Sequence, residues 1–208
     1  MKKEKAFTLA EALIVLVIIG VIAALTVPAV LISTEQNEYK TAFKKAVSTI
    51  NEAIQMSIAL NGEGPDVAES IADPTNESSL FNMIKQRVSV VSTTTEYKGG
   101  TDTNYAFFTA DGMRFEFPTG TPTIGGTTFA ANQASCGNPD NGDTPCLIIV
   151  DVNGEKKPNP RTGGNQSYKV PDPTSSKSRF YDVYPVIVTD RNAYPFGVVA
   201  QRAFFQAD

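Results

Sequence analysis

The stretch KAFTLAEALIVLVIIGVIAALTVPAVL, Lys5 to Leu31, decides how the rest of the chain is read. From Ala12 to Thr34 it carries no charge, and an apolar run of this length is long enough as a helix to cross the roughly 30 Å hydrocarbon layer of a bilayer. Two residues disturb a plain reading. Glu11 places a carboxylate at the mouth of the run, where a charge is costly and usually has a partner or a task. Pro28 lacks an N–H, and its ring conflicts with the carbonyl of Ala24, so a helix through it bends or loses hydrogen bonds, while Gly20 loosens the section before it.

The flanks give polarity. Lys2, Lys3 and Lys5 precede the run, and positive residues beside a membrane segment stay on the cytoplasmic side, so the remainder is expected to be exported. An ordinary secretory signal is a poor match, because the apolar core exceeds the usual 7 to 15 residues and continues past Ala23 and Ala24. A plain anchor accounts for the length but for neither Glu11 nor Pro28.

Composition narrows the function. The chain has 208 residues and a net charge of -4, which leaves room for one ordinary head domain and supplies no basic footprint, so nucleic acid is an unlikely partner. There is no histidine, which removes the usual general base, the commonest metal ligand and any hydrolytic triad. With no phosphate-binding glycine loop either, no catalytic residue is nominated and an enzyme is disfavoured. The two cysteines, Cys136 and Cys146, lie close together among turn-forming residues, and in an exported protein they are expected to form a disulfide.

Beyond the apolar run, Tyr39, Phe43, Ala46, Val47, Ile50, Ala53, Ile54, Ser57 and Ile58 recur at helical spacing on one face. A rod from about Thr8 to Leu60, roughly 80 Å long, would end at Asn61-Gly62 and Gly64-Pro65. SSLFNMIKQRV predicts a short helix, and NYAFFTADGMRFEF a hairpin with a type I′ turn at Asp111-Gly112. CLIIVDVNG reads as a buried strand, and RFYDVYPVIVTD with AYPFGVVAQ as a further pair joined near Arg191-Asn192. The expected fold is α+β: a long N-terminal helix packed on an antiparallel sheet of about four or five strands. Asp111 and Glu116 are expected to face solvent. The triplets at Asn76 and Asn165 match a glycosylation acceptor pattern and are read as plain surface residues.

AFTLAEALIVLVIIGVIAALTVPAV resembles the N-terminus of type IV pilins and of the pseudopilins of type II secretion systems. Counted from Phe7, Glu11 is the fifth residue, Gly20 the fourteenth and Pro28 the twenty-second, the spacing of that family. The resemblance implies a leader of residues 1–6, cleavage by a prepilin peptidase between Ala6 and Phe7, and N-methylation of Phe7; the family usually has glycine where Ala6 stands. It further implies a membrane and filament-core half-helix over 7–34, an amphipathic half over 35–60 and an α+β head over 61–208. Glu11 would pair with a neighbouring subunit's amine and set register, and Gly20 and Pro28 would permit local loss of helix. Implied partners are like subunits in a helical filament, membrane lipid before assembly and an inner-membrane assembly platform, with the N-terminus cytoplasmic and the head exported. A membrane-anchored minor pilin acting in adhesion or DNA capture is the alternative. Major pseudopilins bind calcium in the head, and DVNGEKKPN offers Asp151 and Asn153 as candidate ligands, but a solvated Asn-Gly turn is the favoured reading.

Overall fold

The computed structural model describes residues 8–68, 70–98, 102–119, 123–124, 127–129, 136–137, 139–154, 156, 161–162, 167–168 and 182–205. The elements in chain order are α1 (Leu9–Asn61), α2 (Leu80–Lys85), β1 (Val90–Lys98), β2 (Asp102–Thr109), β3 (Arg114–Phe117), β4 (Thr123–Ile124), β5 (Thr127–Thr128), β6 (Cys146–Asp151), β7 (Arg161–Thr162), β8 (Ser167–Tyr168), β9 (Val183–Val188), β10 (Ala193–Pro195) and α3 (Val198–Phe205). The chain divides into two units, Met1–Glu38 and Tyr39–Asp208.

In the first unit the described chain is helical from Leu9 onward, and the apolar side chains from Leu9 to Val27 are exposed. In the second unit α1 turns amphipathic. Phe43, Ala46, Val47, Ile50, Ala53 and Ile54 are buried at three- and four-residue spacing, the face the periodicity predicts.

Six antiparallel strands form the main sheet in the order β1-β2-β3-β6-β9-β10, more than the four or five expected from the alternation. The added strand is β1, whose VVSTTTEYK is rich in β-branched residues but lacks an apolar stripe. Pairing places Phe107, Phe115, Phe117, Ile148, Val150, Tyr184, Val186 and Val188 in one core with α1 and α2. Phe43 stacks on Tyr184 with ring centroids 4.3 Å apart, and Phe81 of α2 sits edge-on to Phe117 at 5.1 Å. Ser79 caps α2 by accepting from the Asn82 N–H.

Two local expectations fail. The β2–β3 loop has three residues, not two: the Thr109 N–H donates to the Met113 carbonyl, Phe108 pairs with Arg114, and Gly112 adopts a φ of 84°. That arrangement closes a hairpin with one left-handed residue instead of the two a type I′ turn demands. AYPFGVVAQ is a strand only as far as Pro195. Gly197, with φ 82°, turns the chain into α3, which buries Val199, Ala200 and Ala203.

At β10, Asn51 of α1 donates from Nδ2 to the Ala193 carbonyl and accepts at Oδ1 from the Ala193 N–H, both at 2.8 Å. Gln55 Nε2 donates to the Arg191 carbonyl at 2.9 Å. A helix side chain thus stands in for a missing strand. Cys136 and Cys146 are disulfide-bonded, and the Cys136 N–H donates to the Pro65 carbonyl, tying the crosslink to the segment after α1.

Candidate functional site

At the start of α1, Thr8 and Glu11 form a reciprocal cap. The Thr8 N–H donates to Glu11 Oε2 at 2.9 Å, the Thr8 hydroxyl donates to the same oxygen at 2.7 Å, and the Glu11 N–H donates to Thr8 Oγ1 at 3.3 Å. The T-x-x-E spacing was the available signal for this capping box, and it identifies Thr8 as a site residue that the periodicity argument passed over. Glu11 therefore sits at the positive end of the helix dipole, holding donors that would otherwise lack a partner.

Downstream, Leu9–Val27 forms a 19-residue helical run apolar enough to cross a membrane, with none of it buried. Gly20 lies inside α1 with open space where a Cβ would stand, and α1 continues through position 28. Thr26 and Thr34 return their hydroxyls to the carbonyls of Ile22 and Val30, so each polar side chain is satisfied within the helix. Ala6 and Phe7, the expected cleavage and methylation positions, lie outside the described residues, as does Asn165.

In the second unit the sheet carries charge where solvent exposure was expected. Glu116 is 1 % exposed, and its Oε2 stands 3.1 Å from Nη2 of Arg114, itself 0 % exposed. Asn104 also donates to Glu116, and the Arg114 guanidinium lies over the Phe108 ring at 5.9 Å. The expectation for Glu116 thus fails: β3 buries both its faces, so alternation along RFEF separates two interiors, not interior from water. Asp111 does reach the surface, where Lys45 of α1 meets its Oδ2 at 2.7 Å.

Asp151, a candidate calcium ligand, is buried at the end of β6 opposite Arg114. Asn153 donates its N–H to Asp151 Oδ1 at 3.2 Å, and Gly154, φ 71°, passes under the Gly112 carbonyl so closely that a Cβ would come within 2.6 Å of it. The Asn-Gly turn is accordingly packed against the β2–β3 loop and is not the solvated turn that was the favoured expectation. Among the described residues no three His, Cys, Asp or Glu side chains gather into a metal site. Asp182 and Tyr184 add to the buried polar groups. The Tyr184 phenol is held well above its ordinary pKa by burial first, then by the charges of Asp182 and Tyr39.

A family model for the prokaryotic N-terminal methylation motif matches residues 1–27, the signature of type IV pilins and pseudopilins. No curated protein and no solved structure matches this chain.

Proposed function

We propose that this protein is the precursor of a structural subunit of a type IV pilus or a type II secretion pseudopilus. The observation that carries the proposal is the methylation motif over residues 1–27, with Glu11 at the fifth place after Phe7. In this reading residues 1–6 are a leader, 7–34 the membrane and filament-core half of the helix, 35–60 its amphipathic half and 61–208 the exported head. Prepilin peptidase cuts between Ala6 and Phe7, and the new amine is methylated.

The physical course follows from the residues. The exposed apolar surface of Leu9–Val27 is compatible with lipid and equally with a bundle of like helices, so transfer between them costs little hydrophobic free energy. The carboxylate of Glu11 is the exception. Buried among helices it is penalised unless a cation reaches it, and the amine of an adjoining copy supplies one in a single axial register. Glu11 then selects register more than it adds net stability. The inner-membrane assembly platform and the outward-facing head belong to the same proposal.

Mass spectrometry of the N-terminus of the native protein tests it. The expected result is a chain starting at methylated Phe7; an intact Met1, or a cut near Ala24, would refute the proposal.

A further inference from the structure

Three Asn-Gly pairs occur in the chain, Asn61-Gly62, Asn141-Gly142 and Asn153-Gly154, and all three glycines have positive φ, at 74°, 85° and 71°. An asparagine before glycine is open to attack on its side chain from within the chain, because the glycine has no side chain to shield its own backbone nitrogen. The fold treats the three pairs differently. Asn61 ends α1, where the Gly62 N–H donates to the Ile58 carbonyl at 2.9 Å. Just beyond it, Gly64 lies so close to the Asp190 carbonyl that a Cβ would come within 2.6 Å of it. Asn153 is half-buried with its side-chain oxygen shut off from solvent, and the buried Gly154 is pressed against the Gly112 carbonyl. Asn141 instead ends a short 3₁₀ turn, Pro139–Asn141, in the loop crosslinked by Cys136 and Cys146. The Gly137 N–H donates to the Thr144 carbonyl at 3.0 Å at the base of that loop, while residues 140–144 are exposed and open space lies where a Cβ of Gly142 would stand.

We propose that Asn141 is a site of spontaneous deamidation and that the fold protects Asn61 and Asn153 from the same reaction. The Gly142 backbone nitrogen attacks Cγ of Asn141, and the new C–N bond closes a succinimide ring. The bond from Cγ to the side-chain nitrogen breaks, and that nitrogen leaves as ammonia, taking up the proton that the Gly142 N–H gives to solvent. Water then adds to a ring carbonyl and reopens the ring as aspartate or isoaspartate, so water is the only co-reactant. Ring closure requires the backbone at the asparagine to leave its folded conformation. A short 3₁₀ turn is held by poorly aligned hydrogen bonds and opens locally at little cost. Asn61 must give up a hydrogen bond of α1 beside a tightly packed glycine, and Asn153 must unpack a buried one. The product sets a new carboxylate between Asp140 and Asp143 and, as isoaspartate, adds a methylene to the backbone of the crosslinked loop. The inference rests on the head alone and stands whether or not the chain polymerises.

Peptide mapping by mass spectrometry tests it, on the full chain held for days in detergent micelles at mildly alkaline pH. Electron-transfer fragmentation tells isoaspartate from aspartate, and the same incubation in concentrated urea is the unfolded reference. In the folded chain Asn141 should convert at least about tenfold faster than Asn61 and Asn153, with isoaspartate among its products. In urea all three pairs should convert at similar rates, because the protection belongs to the fold and not to the neighbouring residues. Circular dichroism before and after incubation checks that the folded sample stays folded. An intact Asn141, Asn61 or Asn153 keeping pace with it in the folded chain, or the same tenfold ranking persisting in urea would each overturn the proposal.

Discussion

Replacing Asn51 by alanine should destabilise the head by about 2 to 3 kcal/mol. Asn51 spends its amide on both backbone groups of Ala193, which is 5 % exposed and lies on the edge strand β10. Each such hydrogen bond contributes about 1 kcal/mol net, and a buried N–H or C=O left without a partner costs about 1 to 3 kcal/mol. The better helix propensity of alanine returns roughly 0.5 kcal/mol, and partial entry of water at this half-buried site limits the penalty, which gives the net range. For a domain of this size the melting temperature should fall by about 4 to 12 °C. Urea unfolding of the full chain in detergent measures the loss, and amide exchange at Ala193 locates it. Asn51→Asp keeps an acceptor for the Ala193 N–H but faces the Ala193 carbonyl with a carboxylate, so it should not rescue. Gln55→Ala, at an exposed position, should cost no more than about 1 kcal/mol. A loss below about 0.5 kcal/mol for Asn51→Ala, or unchanged exchange at Ala193, would refute the idea that a side chain closes this edge.

Arg114→Met should destabilise the head by about 3 to 5 kcal/mol in urea melts, because Glu116 is left buried beside a lost cation; a loss under about 1 kcal/mol would contradict this. Burial acts against the Asp111 charge, but the hydrogen bond and charge of Lys45 with the Thr109 hydroxyl outweigh it and hold the carboxyl below its ordinary value. That stabilisation is present above the unfolded pKa of about 3.9 and lost as pH falls below it, so Lys45→Met should cost at most about 1 kcal/mol at pH 7 and flatten the acid limb; an unchanged slope below pH 4 would count against it. The Tyr184 hydroxyl is buried without a hydrogen-bond partner among the described residues, so Tyr184→Phe should be neutral or stabilising by about 1 kcal/mol. Because the phenol's pKa is raised on folding, the parent should lose stability as pH rises above about 10 and the variant should not; a variant destabilised at pH 7 would show that the hydroxyl is satisfied. Glu11→Ala should still insert in the membrane but assemble poorly, and a normal filament yield would remove Glu11 from the assembly role.

What the chain discloses before folding depends on whether a signal is local or shared. The apolar run, the amphipathic face of α1, the hairpin strands and the buried β6 rest on periodicity within a few residues, and each appears where its pattern lies. The capping box at Thr8 and Glu11 was equally local and visible as T-x-x-E. Val198 and Val199 look like strand residues, yet Gly197 resets the backbone and tertiary burial of Val199, Ala200 and Ala203 selects a helix. The charges on β3 were least legible. Alternation says that Arg114 and Glu116 share a face, but only the covering of that second face decides whether the face is wet, and covering is a property of distant chain.

The cap at Thr8 also bears on why an acid is tolerated at the entrance of an apolar helix. Glu11 is the single charge of the span Leu9–Val27 and its neighbour Thr8 gives it two donors, so the carboxylate has local partners before any other molecule approaches. Under the proposed function, a cation arriving from another copy would compete with those donors. The exchange favours the cation because a charge-assisted hydrogen bond is roughly twice as strong as one from a neutral donor, and more so in a dry environment. A local cap of this kind lowers the cost of holding the acid in the membrane without sealing it off. Under the proposed function, the same four residues then serve both the waiting subunit and the assembled one: a helix N-terminus that satisfies Glu11 well enough to keep, and weakly enough to give up.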